Sequence, residues 1–135
     1  MRITFTNEMV FSFEGPNLCL LGNEKDFREL AESILELTDI SKSDSIELSS
    51  LKFIEYDGER KSIFFISKEG ANSLGILTKD DKLIFELDPR YWERLFRYFV
   101  LMSWYKRTYY LNADENCLDD LLLEQECNFI CSSGF

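Results

Sequence analysis

The stretch that decides the fold is LCLLGNEKDFRELAESILEL, Leu18 to Leu37. Leu18 to Leu21 is a short apolar run bounded by turn residues and reads as a strand. Gly22-Asn23 ends it. Beyond the turn, Phe27, Leu30, Ala31, Ile34 and Leu37 recur at helical spacing and form one apolar stripe. Asn23 is suited to cap that helix, with Asp26 three residues on as its capping-box partner. Glu24 and Asp26 also sit at the positive end of the helix dipole. A different face of the same helix carries Glu29, Glu32 and Glu36. Lys25–Glu29 and Arg28–Glu32 are i,i+4 pairs that answer this charge in part.

Working outward, Ile3 and Phe5 alternate with polar residues, and so do Met9, Phe11 and Phe13, which predicts a hairpin about Asn7-Glu8. Gly15-Pro16-Asn17 turns the chain into the Leu18 strand. After the helix, Ile46 to Tyr56 reads as one long strand whose alternation slips at Ser49-Ser50, a bulge or a bend. Lys61 to Ser67 reads as a central strand, because Ile63-Phe64-Phe65-Ile66 is apolar on both faces. Leu74 to Leu77 and Leu83 to Leu87 form a second hairpin around Lys79-Asp80-Asp81. Asp88-Pro89 opens a second helix, an acid followed by Pro at the first helical position. Its main stripe is Trp92, Leu95, Phe96, Phe99 and Met102. Tyr91, Tyr98, Leu101, Trp104 and Tyr105 spread the apolar surface further round, beside a basic stripe of Arg90, Arg94 and Arg97. Thr108 to Leu111 is strand-like, Leu118 to Leu123 a short helix, and Asn128 to Cys131 a last strand. The expected architecture is one α+β domain over residues 1–135. Its largely antiparallel sheet packs against two main helices, with a short acidic element near the C-terminus.

Composition limits the chemistry. The chain has 25 acidic residues, 15 basic ones and no His, a net charge of −10. That field repels phosphate backbones, which argues against direct nucleic-acid binding, and it accelerates encounter with a basic partner. The four cysteines, Cys19, Cys117, Cys127 and Cys131, form no CxxC and have no His to complete a zinc set. No secretory signal or bilayer-length apolar run is read, so the expected location is the cytoplasm, with thiols reduced and no cofactor or metal. Without His, no Ser-His or Cys-His nucleophile can be built, and no glycine-rich phosphate loop is present. The leading expectation is therefore a protein that is not an enzyme. Carboxylates are the remaining reactive groups, and Glu29/Glu32 or Asp119/Asp120 would be the pairs for a hydrolase.

The candidate binding residues are Asp114, Glu115, Asp119, Asp120, Glu124 and Glu126, an acidic run with no Lys or Arg between Thr108 and the C-terminus. Glu29, Glu32 and Glu36 come second. A self-associating adaptor, dimerising through the aromatic helix 89–105, is the alternative to partner binding through acids.

The strand, Gly-Asn turn and helix of Leu18–Leu37 resemble a strand-turn-helix signature, roughly Leu-x-Leu-x-Gly-Asn-x-x-x-Leu-x-x-Leu-Ala. That signature belongs to small immunity proteins of bacterial polymorphic and contact-dependent toxin systems. Gly22, Asn23, Leu30 and Ala31 match it, with Phe27 at the first apolar helix position. The resemblance implies a cognate inhibitor that binds and neutralises a toxin, often a basic nuclease, with the carboxylates as the binding face.

Overall fold

The computed structural model describes residues 1–58, 60–111 and 123–134. Its elements run β1 (Arg2–Thr6), β2 (Asn17–Leu21), α1 (Glu24–Ile34), β3 (Asp44–Glu47), β4 (Glu55–Tyr56), β5 (Ser62–Ser67), β6 (Asn72–Leu77), β7 (Lys82–Leu87), α2 (Pro89–Met102), β8 (Thr108–Tyr110) and β9 (Asn128–Ser132). The class is α+β. The strands form two mixed sheets, one ordered β4-β1-β2-β9-β8 and the other β3-β5-β7-β6. Antiparallel pairings predominate, but β1/β4, β2/β9 and β5/β7 are parallel.

The division into two sheets follows from two places where the chain changes sheet. Ile46 to Tyr56 is not one strand. A 3₁₀ turn at Leu48–Ser50, with Leu48 fully buried, takes the chain from the edge of the four-stranded sheet to the edge of the five-stranded one. The slip in alternation at Ser49-Ser50 is therefore a change of sheet and not a bulge. The second crossing precedes β9. Leu74 N–H donates to Glu124 O (2.8 Å), Glu124 N–H to Asn72 O (2.9 Å) and Glu126 N–H to Gly75 O (3.3 Å). This segment thus lies along the outer edge of β6 before the chain enters the other sheet as β9, between β2 and β8. Gly75 permits the approach. It sits at a bulge with φ +77°, and a Cβ there would stand 3.2 Å from the Cys127 carbonyl oxygen.

The N-terminal hairpin also differs from expectation. The partner of β1 is β2, with Ile3 opposite Leu20 and Phe5 opposite Leu18. Met9 to Phe13 is a loop that turns on itself. Val10 and Phe13 exchange backbone hydrogen bonds (2.9 and 2.8 Å), and Phe11 and Ser12 have positive φ. Asn17 Nδ2 donates to Glu8 O and Phe13 O, and Asn128 Nδ2 to Glu14 O, so the loop base is tied to β2 and β9. Phe11 and Phe13 then lie against the Tyr110 ring, at 6.1 and 5.2 Å between centroids. The alternation in this segment reflects aromatic packing onto β8, with no ladder behind it.

The inward faces meet in one core. Ile3, Phe5, Leu18, Leu20 and Phe129 come from the five-stranded sheet, and Ile63, Phe65, Leu74, Leu83 and Phe85 from the other. Phe129 meets Phe85 edge-on (4.9 Å) and lies 6.3 Å from Phe65. Phe65 in turn meets Trp92 of α2 at 4.9 Å. The Trp92 indole N–H donates to Ile66 O (2.9 Å), so the largest buried ring leaves no polar atom unsatisfied. Phe27 and Phe99 join the two helices.

Both helix starts form as the sequence predicts. Asp26 N–H donates to Asn23 Oδ1 (2.9 Å), and Asn23 N–H donates to the Asp26 carboxylate (3.0 Å). Gly22 makes room for this box, since a Cβ on it would stand 2.7 Å from Asp26 Oδ2. Replacing Asn23 by alanine should cost about 1 kcal/mol in a denaturant titration, the ordinary worth of a side-chain N-cap. A loss within error of zero would mean that packing alone holds α1. The buried residues of α1 are Phe27, Leu30, Ala31 and Ile34, and Leu37 is buried in the 3₁₀ turn that follows.

Candidate partner-binding face

The acidic residues divide into separate groups. Asp114, Glu115, Asp119 and Asp120 lie outside the described residues, as does most of the expected Leu118 to Leu123 helix. Glu124 and Glu126 are exposed. Their backbone pairs with β6, and Gln125 between them is half-buried, so the segment alternates as an edge strand does.

Glu29 and Glu32 line an open groove of about 550 Å³ on α1 with Ser33, Lys52 and Phe53. Neither i,i+4 pair closes there: among the described residues no ion pair links Lys25 to Glu29 or Arg28 to Glu32. Glu36 is further along and pairs with Lys42. No hydrogen bond, ion pair or shared groove joins this group to Glu124 or Glu126 among the described residues.

Glu124 does share a face with other residues. It bridges Ser73, which is opposite Glu86 of β7, which in turn is opposite Ile66 of β5. One row across the four-stranded sheet therefore reads Ser45, Ile66, Glu86, Ser73, Glu124. The next row on the same outward face reads Glu47, Phe64, Ile84, Ile76. Phe64, Ile66 and Ile84 are each partly exposed, and among the described residues α2 packs on the opposite face of this sheet, where Trp92 meets Phe65. Lys82 Nζ sits 5.6 Å from the Phe64 ring centroid. The result is an apolar strip with Glu47 and Glu86 beside it and Glu124 at its edge, laid out on rigid strands.

Sequence reasoning expected Ile63-Phe64-Phe65-Ile66 to be covered on both sides and so passed over Phe64, Ile66, Ile84, Glu47 and Glu86 as site residues. A usable signal was present. The outward positions of β7 are Lys82, Ile84 and Glu86, and two charges on one face of a strand mark that face as solvated.

The geometry also bears on covalent chemistry. Burial pushes the Cys127 thiol up to about 12 and raises that of Cys19, so both stay protonated and poorly nucleophilic at neutral pH. Among the described residues no three His, Cys, Asp or Glu side chains gather as metal ligands would. No helix among them is long and apolar enough to cross a membrane. Comparison with protein-family models, with curated proteins and with solved structures gave no match.

Proposed function

We propose that the protein is a non-enzymatic immunity-type inhibitor that binds and neutralises a basic toxin domain through the outer face of the four-stranded sheet. The observation that carries this reading is the partly exposed strip of Phe64, Ile66 and Ile84 with carboxylates of Glu47, Glu86 and Glu124 around it. Apolar side chains at the centre of such a face supply affinity once water is excluded. Acids around them steer a basic partner and reject an acidic one. The net charge of −10 acts in the same direction at longer range. The resemblance of Leu18–Leu37 to toxin-immunity proteins supports the same class of partner. A carboxylate-dependent hydrolase has less support, because Glu29 and Glu32 open to solvent in a shallow groove beside Lys52.

The test is affinity capture from the native cell at moderate salt, followed by kinetics with the captured domain. One basic toxin-like domain should be held one to one, and its toxicity should fall when the two are co-expressed. Glu86→Lys with Glu124→Lys should slow association about ten-fold or more at low salt, with a much smaller change in the dissociation rate. Recovery of the chain alone, or binding indifferent to the double reversal, would reject this face.

A further inference from the structure

The loop between β1 and β2 closes on a turn that its own residues resist. Val10 and Phe13 pair across it, and the two residues between them, Phe11 and Ser12, have φ of +48° and +72°. A two-residue turn with both central residues at positive φ is ordinarily built from Asn-Gly. Side chains with a Cβ disfavour that backbone, and a bulky aromatic one does so strongly. The loop is nonetheless held firmly at its base. Buried Asn17 donates through Nδ2 to Glu8 O (3.0 Å) and Phe13 O (3.1 Å). Asn128 Nδ2 donates to Glu14 O (2.8 Å) and to Asn17 Oδ1 (2.9 Å). Strain of this kind persists only where the surroundings over-determine it, and it concentrates at sites that bind or switch.

What the turn displays is apolar. Met9 is 65% exposed and Phe11 54%. Phe11 meets the Tyr110 ring edge-on at 6.1 Å, which fixes its direction and leaves more than half of it outside. Phe11 is no part of the buried core, so folding does not account for an aromatic ring at this turn. Glu8 and Glu14 stand on either side of the tip. Both are exposed, and among the described residues no cation lies in ion-pair reach of either. Asn128, which ties down Glu14, follows Glu126 by two residues. The loop thus stands next to the segment that carries Glu124 and Glu126.

We infer that Met9 and Phe11 form an anchor that enters a concave apolar pocket, rimmed by Lys or Arg, on a basic partner domain. The inference rests on the reading of the protein as an inhibitor of such a domain. Charge selects the occupant. Glu8 and Glu14 face the rim of the pocket, and the net charge of −10 favours a basic protein over an acidic one. The apolar tip supplies what acids alone lack, a side chain desolvated at the centre of a contact, where most binding energy resides. A loop already locked in its displayed shape loses little conformational freedom on binding. The strained turn secures that shape at a cost in stability, as binding sites often do.

The deciding variant is Phe11→Asn with Ser12→Gly, which gives the turn the residues it favours and removes the anchor. Its guanidinium denaturation midpoint should equal or exceed that of the wild type. Its affinity for the captured basic domain, measured by titration calorimetry, should fall about ten-fold or more. Met9→Ser, which leaves the turn untouched, should weaken binding in the same direction. Glu86→Lys with Glu124→Lys, run alongside, separates this inference from the sheet-face reading. A domain that releases the double reversal but holds both loop variants as tightly as the wild type would overturn the anchor and leave the sheet face standing. A domain indifferent to the reversal but released by the loop variants would uphold the anchor and reject the sheet face. A midpoint clearly below that of the wild type would show that Phe11 is kept for packing on Tyr110, and would also overturn the anchor. Recovery of the chain alone rejects both readings, and self-association abolished by the turn variant would assign the tip to a second copy instead.

Discussion

Replacing Phe129 by alanine should destabilise the protein by about 3–5 kcal/mol, the range for truncating a fully buried aromatic ring. Phe129 sits on β9, the strand inserted between β2 and β8, and its ring faces Phe85 and Phe65 on the other sheet. Few side chains bind both sheets so directly. Removing it takes away burial on one sheet, the edge-on contact with Phe85 and, through Phe65, support for Trp92. A guanidinium titration followed by far-UV circular dichroism would measure the loss. Phe129→Leu, which retains much of the volume, should cost clearly less. A loss below about 1 kcal/mol for Phe129→Ala would mean that the two sheets are held together elsewhere.

Asp88→Ala should be the next most damaging single change, at about 2 kcal/mol, the upper end for loss of a helix cap. Asp88 is buried at the junction of β7 and α2. Its carboxylate accepts from Gly70 N–H (2.9 Å), from Arg90 N–H (3.0 Å) and from the Arg90 side chain (3.0 Å). The residue therefore caps α2 and fastens the turn between β5 and β6. Burial acts to raise its pKa, but these three donors outweigh it and hold the group below the ordinary carboxylate range. A depressed folded-state pKa stabilises the protein above the unfolded value, near 4. That contribution is lost as pH falls through the folded pKa. Between neutral pH and about pH 3, the wild type should lose more stability than Asp88→Asn does. Parallel curves for the two proteins would show that the charge on Asp88 adds nothing to its role as a cap.

The parts of the fold readable in advance were those governed by local chemistry. Asn23 with Asp26 and Asp88 with Pro89 mark two helix starts whose signals lie within four residues. The turn around Lys79-Asp80-Asp81 announces its hairpin in the same way. What escaped depends on partners far along the chain. Met9 to Phe13 alternates like a strand, yet β2 takes the place beside β1, and Phe11 and Phe13 instead cover a tyrosine about a hundred residues away. Ile46 to Tyr56 has the composition of one strand, but the burial of Leu48 breaks it between sheets. For the candidate face, Glu124 and Glu126 were legible as acids and Glu86 was not, because only the register of β5, β7 and β6 sets Glu86 beside Ile66 and in line with Glu124.

The position of β9 bears on how the chain is made. It is a central strand, and its neighbours β2 and β8 both precede it in the chain and are synthesised before it. Until Asn128 to Ser132 emerge, β2 and β8 have no strand to join them, and the apolar faces of Leu18 and Leu20 lack Phe129 and Cys131 beside them. Folding of this sheet therefore cannot finish until Asn128 to Ser132 have been made. The cell must keep an aromatic-rich intermediate from associating wrongly for as long as β9 takes to arrive. The same high negative charge that favours a basic partner also keeps those nascent chains apart.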